Sequence, residues 1–211
     1  MRTLRLRGDD PDPETLSEAA AALRAGELVI YPTDTLYALG AQASNPLAVG
    51  RARAAKGRET EKALPLVASD AAQAAGLCAS WPVTARVLAG RFWPGPLTVV
   101  VPAAPTLPRE VTAGSGSVAV RVPALAAARR LCELAGPLIS TSANVAGGAA
   151  PSTCDEAVAA LGERVALALD AGPGSRTAST IVDLTGPVPR LIRPGVVPWL
   201  EVEEALRNAS S

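Results

Sequence analysis

At 211 residues the chain is long enough to bury one substantial core, and its 20 basic and 20 acidic side chains cancel to a formal net charge of zero. That balance, with aromatic residues at only 3%, excludes a protein that clings to nucleic acid over its whole surface or by stacking platforms, so any basic site must be a local patch. The absence of histidine excludes Ser-His-Asp and Cys-His chemistry, histidine general bases and nearly all zinc or iron catalysis.

In chain order, "TLRLR" is predicted as a first strand and "DDPDPETLSEAAAALRAGE" as an acidic-capped helix ending at Gly26. "LVIY", Leu28 to Tyr31, is a short buried strand running into "PTDTLYALGAQ", read as a polar, rigid loop. Asp34 in that loop fits either a catalytic carboxylate or an Asx turn. Asn45-Pro46 supplies the N-cap and first position of a helix through "LAVGRARAA", and "KGRETEK" follows as the loop leaving it. "LPLVA" is a strand, "DAAQAAGL" and "PVTARVLAGRF" are helical, "WPGP" is a rigid corner over Trp93, and "LTVVVPA" resumes as a strand. In "SVAVRVP", Val118, Val120 and Val122 share one face, while Ser117, Ala119 and Arg121 share the other and line a surface. "ALAAARRLCELAG" is a helix, "PLIST" a strand and "SANVAGGAAP" a loop. Thr153 and Glu156 open the next helix with a capping box; "VALALD", "STIVDL" and "PRLIRPG" are late strands, and "VEEALRNA" is a C-terminal helix. Strands that alternate with helices early and cluster late predict an α/β fold: one domain over residues 1–211, with an open, twisted, mixed sheet and flanking helices.

Cys78, Cys132 and Cys154 are too few and too scattered for a disulfide framework or a structural zinc site, so reduced thiols are expected. The N-terminus lacks a leader's apolar core and no apolar run reaches a membrane span, so a soluble, cytoplasmic protein is expected, with no membrane contact.

Among the 20 basic residues only Lys56 and Lys62 are lysines, and both lie in "KGRETEK" with Arg58 between them. A compact ammonium suits a phosphate oxygen, whereas arginine suits two-pronged, planar recognition. The run fits either a solvated face or a cluster that neutralises a polyphosphate; alone it supports polyanion binding and no more. "STSANVAGG" brings hydroxyls at Ser140, Thr141 and Ser142 to a loop able to expose backbone amides, as an oxyanion cradle or an ordinary turn, and "AGPGSR" reads as a plain turn. These polar segments adjoin short strands, where ligands of open α/β folds collect.

Taken together, "YPTDTLYALG", "KGRETEKALPL", "RFWPGPLTVVV", "SVAVRVP", "STSANVAGG", "ASTIVDL" and "LIRPG", in this order, closely resemble the YrdC-like family over about residues 15–196. The resemblance implies a YrdC-like fold with a concave basic cleft, in the short form without a further C-terminal domain. It implies adenylate formation from L-threonine, bicarbonate and ATP: N-carboxythreonine attacks the α-phosphorus and pyrophosphate leaves. The product would pass to a downstream threonylcarbamoyl-transferase complex that modifies tRNA, with tRNA contact possible in principle. Magnesium is expected with the ATP, with no protein metal ligands and no organic cofactor. Carried over residue by residue, Lys56 and Arg58 match catalytic, phosphate-facing positions. Lys62, Ser117, Ser142, Asn144 and Arg193 match further ATP contacts, and Thr35, Tyr37, Arg121, Ser140 and Ser179 match L-threonine contacts. The chain departs from the family pattern at Ala38, Glu59, Ala63, Val67, Leu125, Ala146 and Ala150. A related carbamoyl-adenylate-forming enzyme and a non-catalytic RNA-binding module are the competing readings.

Overall fold

The computed structural model describes residues 1–6, 12–57 and 62–208. After β1 (Arg2–Arg5), helix α1 (Pro13–Arg24) starts where Asp12 accepts from the Glu14 amide, with proline in the first turn. Strands β2 (Val29–Pro32) and β3 (Tyr37–Gly40) precede α2 (Pro46–Lys56), whose N-cap Asn45 accepts from the Leu47 and Ala48 amides. Next come β4 (Leu66–Val67), α3 (Ala71–Ala75), α4 (Val83–Phe92), β5 (Leu97–Pro102), the short α5 (Arg109–Thr112) and β6 (Ser117–Arg121). The chain continues through α6 (Ala126–Ala135), β7 (Leu138–Ile139), β8 (Thr141–Ser142) and α7 (Cys154–Leu161). It ends with β9 (Leu167–Asp170), β10 (Thr180–Asp183), β11 (Arg190–Arg193) and α8 (Trp199–Asn208).

The α/β class, mixed pairing and flanking helices follow the sequence, but the strands divide between two sheets. One runs β1-β9-β2-β3-β8 and the other β11-β10-β5-β6-β4-β7, each containing parallel and antiparallel pairs. Ile30 and Leu39 of the first sheet share a core with Leu97, Val99, Val101, Val118 and Val120 of the second. A second core lies under α1 and α6. Leu16, Ala19, Ala20 and Leu23 recur at one-turn spacing on α1 and pack with Ala128, Leu131 and Cys132 of α6 and with Val29 and Tyr31 of β2. The three cysteines are free, and burial pushes the Cys132 thiol up to about 12. Among the described residues no helix is long and apolar enough to cross a membrane.

Three readings of the sequence are corrected. "YALG" is strand rather than loop: Tyr37 to Gly40 pair antiparallel with β2 and are buried throughout, so no polar face betrays the strand. The Thr33 hydroxyl closes the turn, accepting from the Thr35 and Leu36 amides, both at 3.2 Å, and donating to the Leu36 carbonyl at 2.7 Å. "PLIST" is not one strand: β7 pairs with β4 and β8 with β3, so the chain changes sheets at Ser140. Finally, Lys56 is the last residue of α2, and the helix is closed by Gly57 in the left-handed conformation (φ 61°).

Gly40 and Gly50 make opposite demands. A Cβ on Gly40 would come within 2.7 Å of the Tyr31 ring, whereas one on Gly50, exposed in the middle of α2, meets nothing within 4 Å. Gly40→Ala is expected to destabilise by about 1–3 kcal/mol through overpacking. Gly50→Ala is expected to stabilise by about 0.5–1 kcal/mol through helix propensity. Urea unfolding of the two variants checks the opposite signs.

Candidate active site

A cavity of about 460 Å³ is lined from both sheets: by the β2–β3 turn, residues 62–67, β5, β6, the Ser140–Ser142 crossing, and the segments around Ser179 and Arg193. Two strands turn alternate residues toward it. On β6, Val118 and Val120 enter the core while Ala119 and Arg121 line the cavity; on β5, Leu97, Val99 and Val101 enter the core while Thr98 and Val100 line it.

Arg121, only 6% exposed, organises one side. Its Nε donates to the Gly95 carbonyl and its Nη1 to Thr35 Oγ1, both at 2.8 Å, while Nη2 lies 2.5 Å from Asp34 Oδ1. Burial moves the Arg121 guanidinium down from its ordinary value, and the charge of Asp34 opposes that shift. Asp34 therefore closes no Asx turn within its own loop: it reaches across to Arg121 and accepts from the Ala124 amide at 2.9 Å. The hydroxyl order follows from valence. Thr33 Oγ1 gives its hydrogen to the Leu36 carbonyl, so in the 2.9 Å pair with Thr35 it is Thr35 that donates, while accepting from Arg121.

Opposite stands a second cation. Arg193 donates to the Ser179 carbonyl at 2.8 Å and to its hydroxyl at 3.1 Å, and Ser179 Oγ also pairs with Thr98 Oγ1 at 2.9 Å. Burial, then the nearby charge of Arg121, moves Arg193 down from the usual guanidinium range. Two guanidinium groups close enough to repel one another favour an anion between them.

The third side is the chain after the sheet crossing. Ser140 is fixed by its amide on the Pro65 carbonyl at 2.8 Å. Ser142 Oγ donates to Asn144 Oδ1 at 2.6 Å, and the Lys56 ammonium, 1% exposed, donates to the Ser142 carbonyl at 2.5 Å and to Asn144 Oδ1 at 2.8 Å. The Ala146 amide donates to the Lys56 carbonyl at 2.9 Å, so this departure from the family pattern engages the loop through backbone.

Of the residues selected from sequence, Thr35, Tyr37, Lys62, Arg121, Ser140, Ser142, Ser179 and Arg193 line the cavity. The Tyr37 hydroxyl is engaged elsewhere, donating to the Gly172 carbonyl at 2.6 Å and accepting from the Ala171 amide at 3.0 Å. Lys56 and Asn144 are buried against the Ser142 loop without lining the cavity, and Ser117, at the start of β6, pairs its hydroxyl with Ser115 at 3.1 Å. Arg58 and Glu59 lie outside the described residues. Ala38, Ala63 and Val67, three departures from the family pattern, also line the cavity. Thr141, read from sequence as one hydroxyl of the "STSANVAGG" segment, lines the cavity as well, whereas Thr33 and Thr98 were not selected; alternation along "LTVVV" would have found Thr98. Among the described residues no group of three or more histidine, cysteine, aspartate or glutamate side chains converges to hold a metal ion.

Comparison with known proteins agrees with this architecture. The family model Sua5/yciO/yrdC, described as "Telomere recombination", matches residues 21–195. A Mycobacterium tuberculosis relative is 40% identical over 203 residues, covering 94% of each chain. The threonylcarbamoyl-AMP synthase of Bacillus subtilis is 37% identical over 198 residues, covering 92% of this chain and 57% of its own. The structure of Pyrococcus abyssi Sua5 complexed with L-threonine superposes with a TM-score of 0.93 at 36% identity, over 97% of this chain and 60% of that one. The present chain thus spans nearly all of the mycobacterial relative but under two thirds of the other two. By sequence and by fold, the chain belongs to the Sua5/YciO/YrdC family.

Proposed function

We propose that this chain is a threonylcarbamoyl-AMP synthase, joining L-threonine, bicarbonate and ATP into threonylcarbamoyl-AMP with release of water and pyrophosphate. This is the first step of N6-threonylcarbamoyladenosine formation in tRNA. One observation carries the reading: Thr35, Arg121, Ser140, Ser179 and Arg193 converge on one cavity, in a fold superposing at TM-score 0.93 on a Sua5 solved with L-threonine. About 460 Å³ is in the range of small-molecule sites.

On this reading Arg121 receives the carboxylate of the amino acid, with Thr35, Tyr37, Ser140 and Ser179 around it. Lys62 and Arg193 neutralise phosphate oxygens, joined by Arg58 and Ser117 on the strength of the family pattern. Ser142 and Asn144 flank the nucleotide. Lys56 serves the nucleotide side by clamping those two residues in place, since its ammonium is buried on them. The carbamate oxygen of N-carboxythreonine bonds to the α-phosphorus, the bond from that phosphorus to the bridging oxygen breaks, and its electron pair leaves on pyrophosphate. Such a displacement asks for positioning and charge neutralisation more than for a tuned base, which suits a chain without histidine. Among the described residues the charged groups of the cavity lining are Lys62, Arg121 and Arg193, a set suited to anions, so magnesium arriving with the triphosphate would be held by phosphate oxygens and would supply further charge neutralisation. No organic cofactor takes part.

We further take residues 1–211 as one catalytic unit with a basic cleft, working in the cytoplasm. It hands its product to a threonylcarbamoyl-transferase complex, and any tRNA contact is local.

Purified protein given ATP, magnesium, bicarbonate and one amino acid at a time is expected to release pyrophosphate only when threonine and bicarbonate are both present. A requirement for carbamoyl phosphate would point to the carbamoyl-adenylate reading, and RNA binding without pyrophosphate to the non-catalytic one. Lys62→Ala is expected to raise the KM for ATP about tenfold, the loss of one charge-assisted contact, with the KM for threonine within about twofold; steady-state kinetics in each substrate checks the split. Asp34→Ala, which strands the buried Arg121 charge, is expected to cost about 3–5 kcal/mol in urea unfolding and to weaken threonine binding. Asp34→Asn, which keeps an acceptor, is expected to cost less.

A further inference from the structure

Arg53 sits in the last turn of α2, one turn before Lys56, and is only 6% exposed. Its guanidinium grips backbone from two directions. Nε and Nη2 both donate to the Glu110 carbonyl of α5, the former at 2.9 Å, and Nη2 also donates to the Lys62 carbonyl at 3.0 Å. Two residues further on, the Leu64 amide donates to the Val111 carbonyl of the same short helix at 2.8 Å. The segment from Lys62 to Leu64 is therefore fastened to α2 and to α5 within three residues, while the Lys62 side chain stays exposed at the cavity.

We propose that Arg53 is a positioning residue for the nucleotide: by fixing the carbonyl of Lys62 it fixes the point from which that ammonium reaches the phosphates. The proposal rests on the assignment of Lys62 to ATP. Its physical basis is reach and entropy. A lysine side chain is a flexible four-carbon stem, and its charge is delivered to a given spot only as well as its backbone is held. A planar fork that donates to two carbonyls at once holds backbone better than a single point charge, and hydrogen bonds from an ionised donor are roughly twice as strong as neutral ones. Arg53 is not itself part of the cavity lining, and it meets that lining at the Lys62 carbonyl, the point through which it would act on ligand.

A double-mutant cycle tests this. Wild type, Arg53→Met, Lys62→Ala and the double variant are compared by calorimetric binding of a non-hydrolysable ATP analogue and of L-threonine, with pyrophosphate release followed alongside. Arg53→Met is expected to weaken nucleotide binding about tenfold with threonine binding within about twofold, and to add less than about twofold once Lys62 is alanine. The same loss with and without Lys62, an equal loss for both ligands, or a nucleotide loss below twofold would overturn it. If circular dichroism finds Arg53→Met unfolded, the cycle is run on Arg53→Lys, which keeps the charge and loses the fork, and is judged by the same three outcomes. Wild-type protein that binds nucleotide but releases no pyrophosphate with threonine and bicarbonate counts against the synthase reading, while the binding cycle still decides on Arg53.

Discussion

The site hangs on a buried charge that is held by three contacts from two segments. Arg121 leaves β6 on the cavity side of a strand whose other side is core, and its three nitrogens meet the turn after α4 at Gly95 and the β2–β3 turn at Thr35 and Asp34. Such a group is costly to bury alone and specific when surrounded. Its partners come from both sheets, so the guanidinium also sets how the turn of one sheet sits against the strands of the other. The cavity exists between elements that this contact holds in register.

Ser140 performs the complementary task along the chain. Two residues before it pair in one sheet and two after it pair in the other, so a single residue carries the backbone across the gap the ligand would fill. Ser140, Thr141 and Ser142 thereby line the same space. With Lys56 fastened beneath Ser142 and Asn144, this wall is held by a buried ammonium, while the wall around β6 is held by a buried guanidinium.

Much of this was legible in the sequence, for local reasons. Asp12, Asn45 and Thr153 announce their helices because caps act within three residues, and the capping box at Thr153 and Glu156 forms as read. The alternation of "SVAVRVP" placed Arg121 on the cavity face because one side of that strand is core. What escaped reading depends on partners distant along the chain. Tyr37 to Gly40 lacks a polar face because both its sides are covered. Lys56 looked like a loop cation, yet its partners Ser142 and Asn144 lie 86 and 88 residues onward. Nothing in "GRARAA" singles out Arg53, since the carbonyls it grips belong to Glu110 of another helix and to Lys62.

The row of hydroxyls in the β2–β3 turn has a polarity of its own. Because Thr35 has already committed its hydrogen to Thr33 and receives one from Arg121, what it can still present to a guest is a lone pair. That end of the chamber sets a lone pair beside the positive charge of Arg121, a pairing that fits a guest carrying an N–H or O–H next to a negative group.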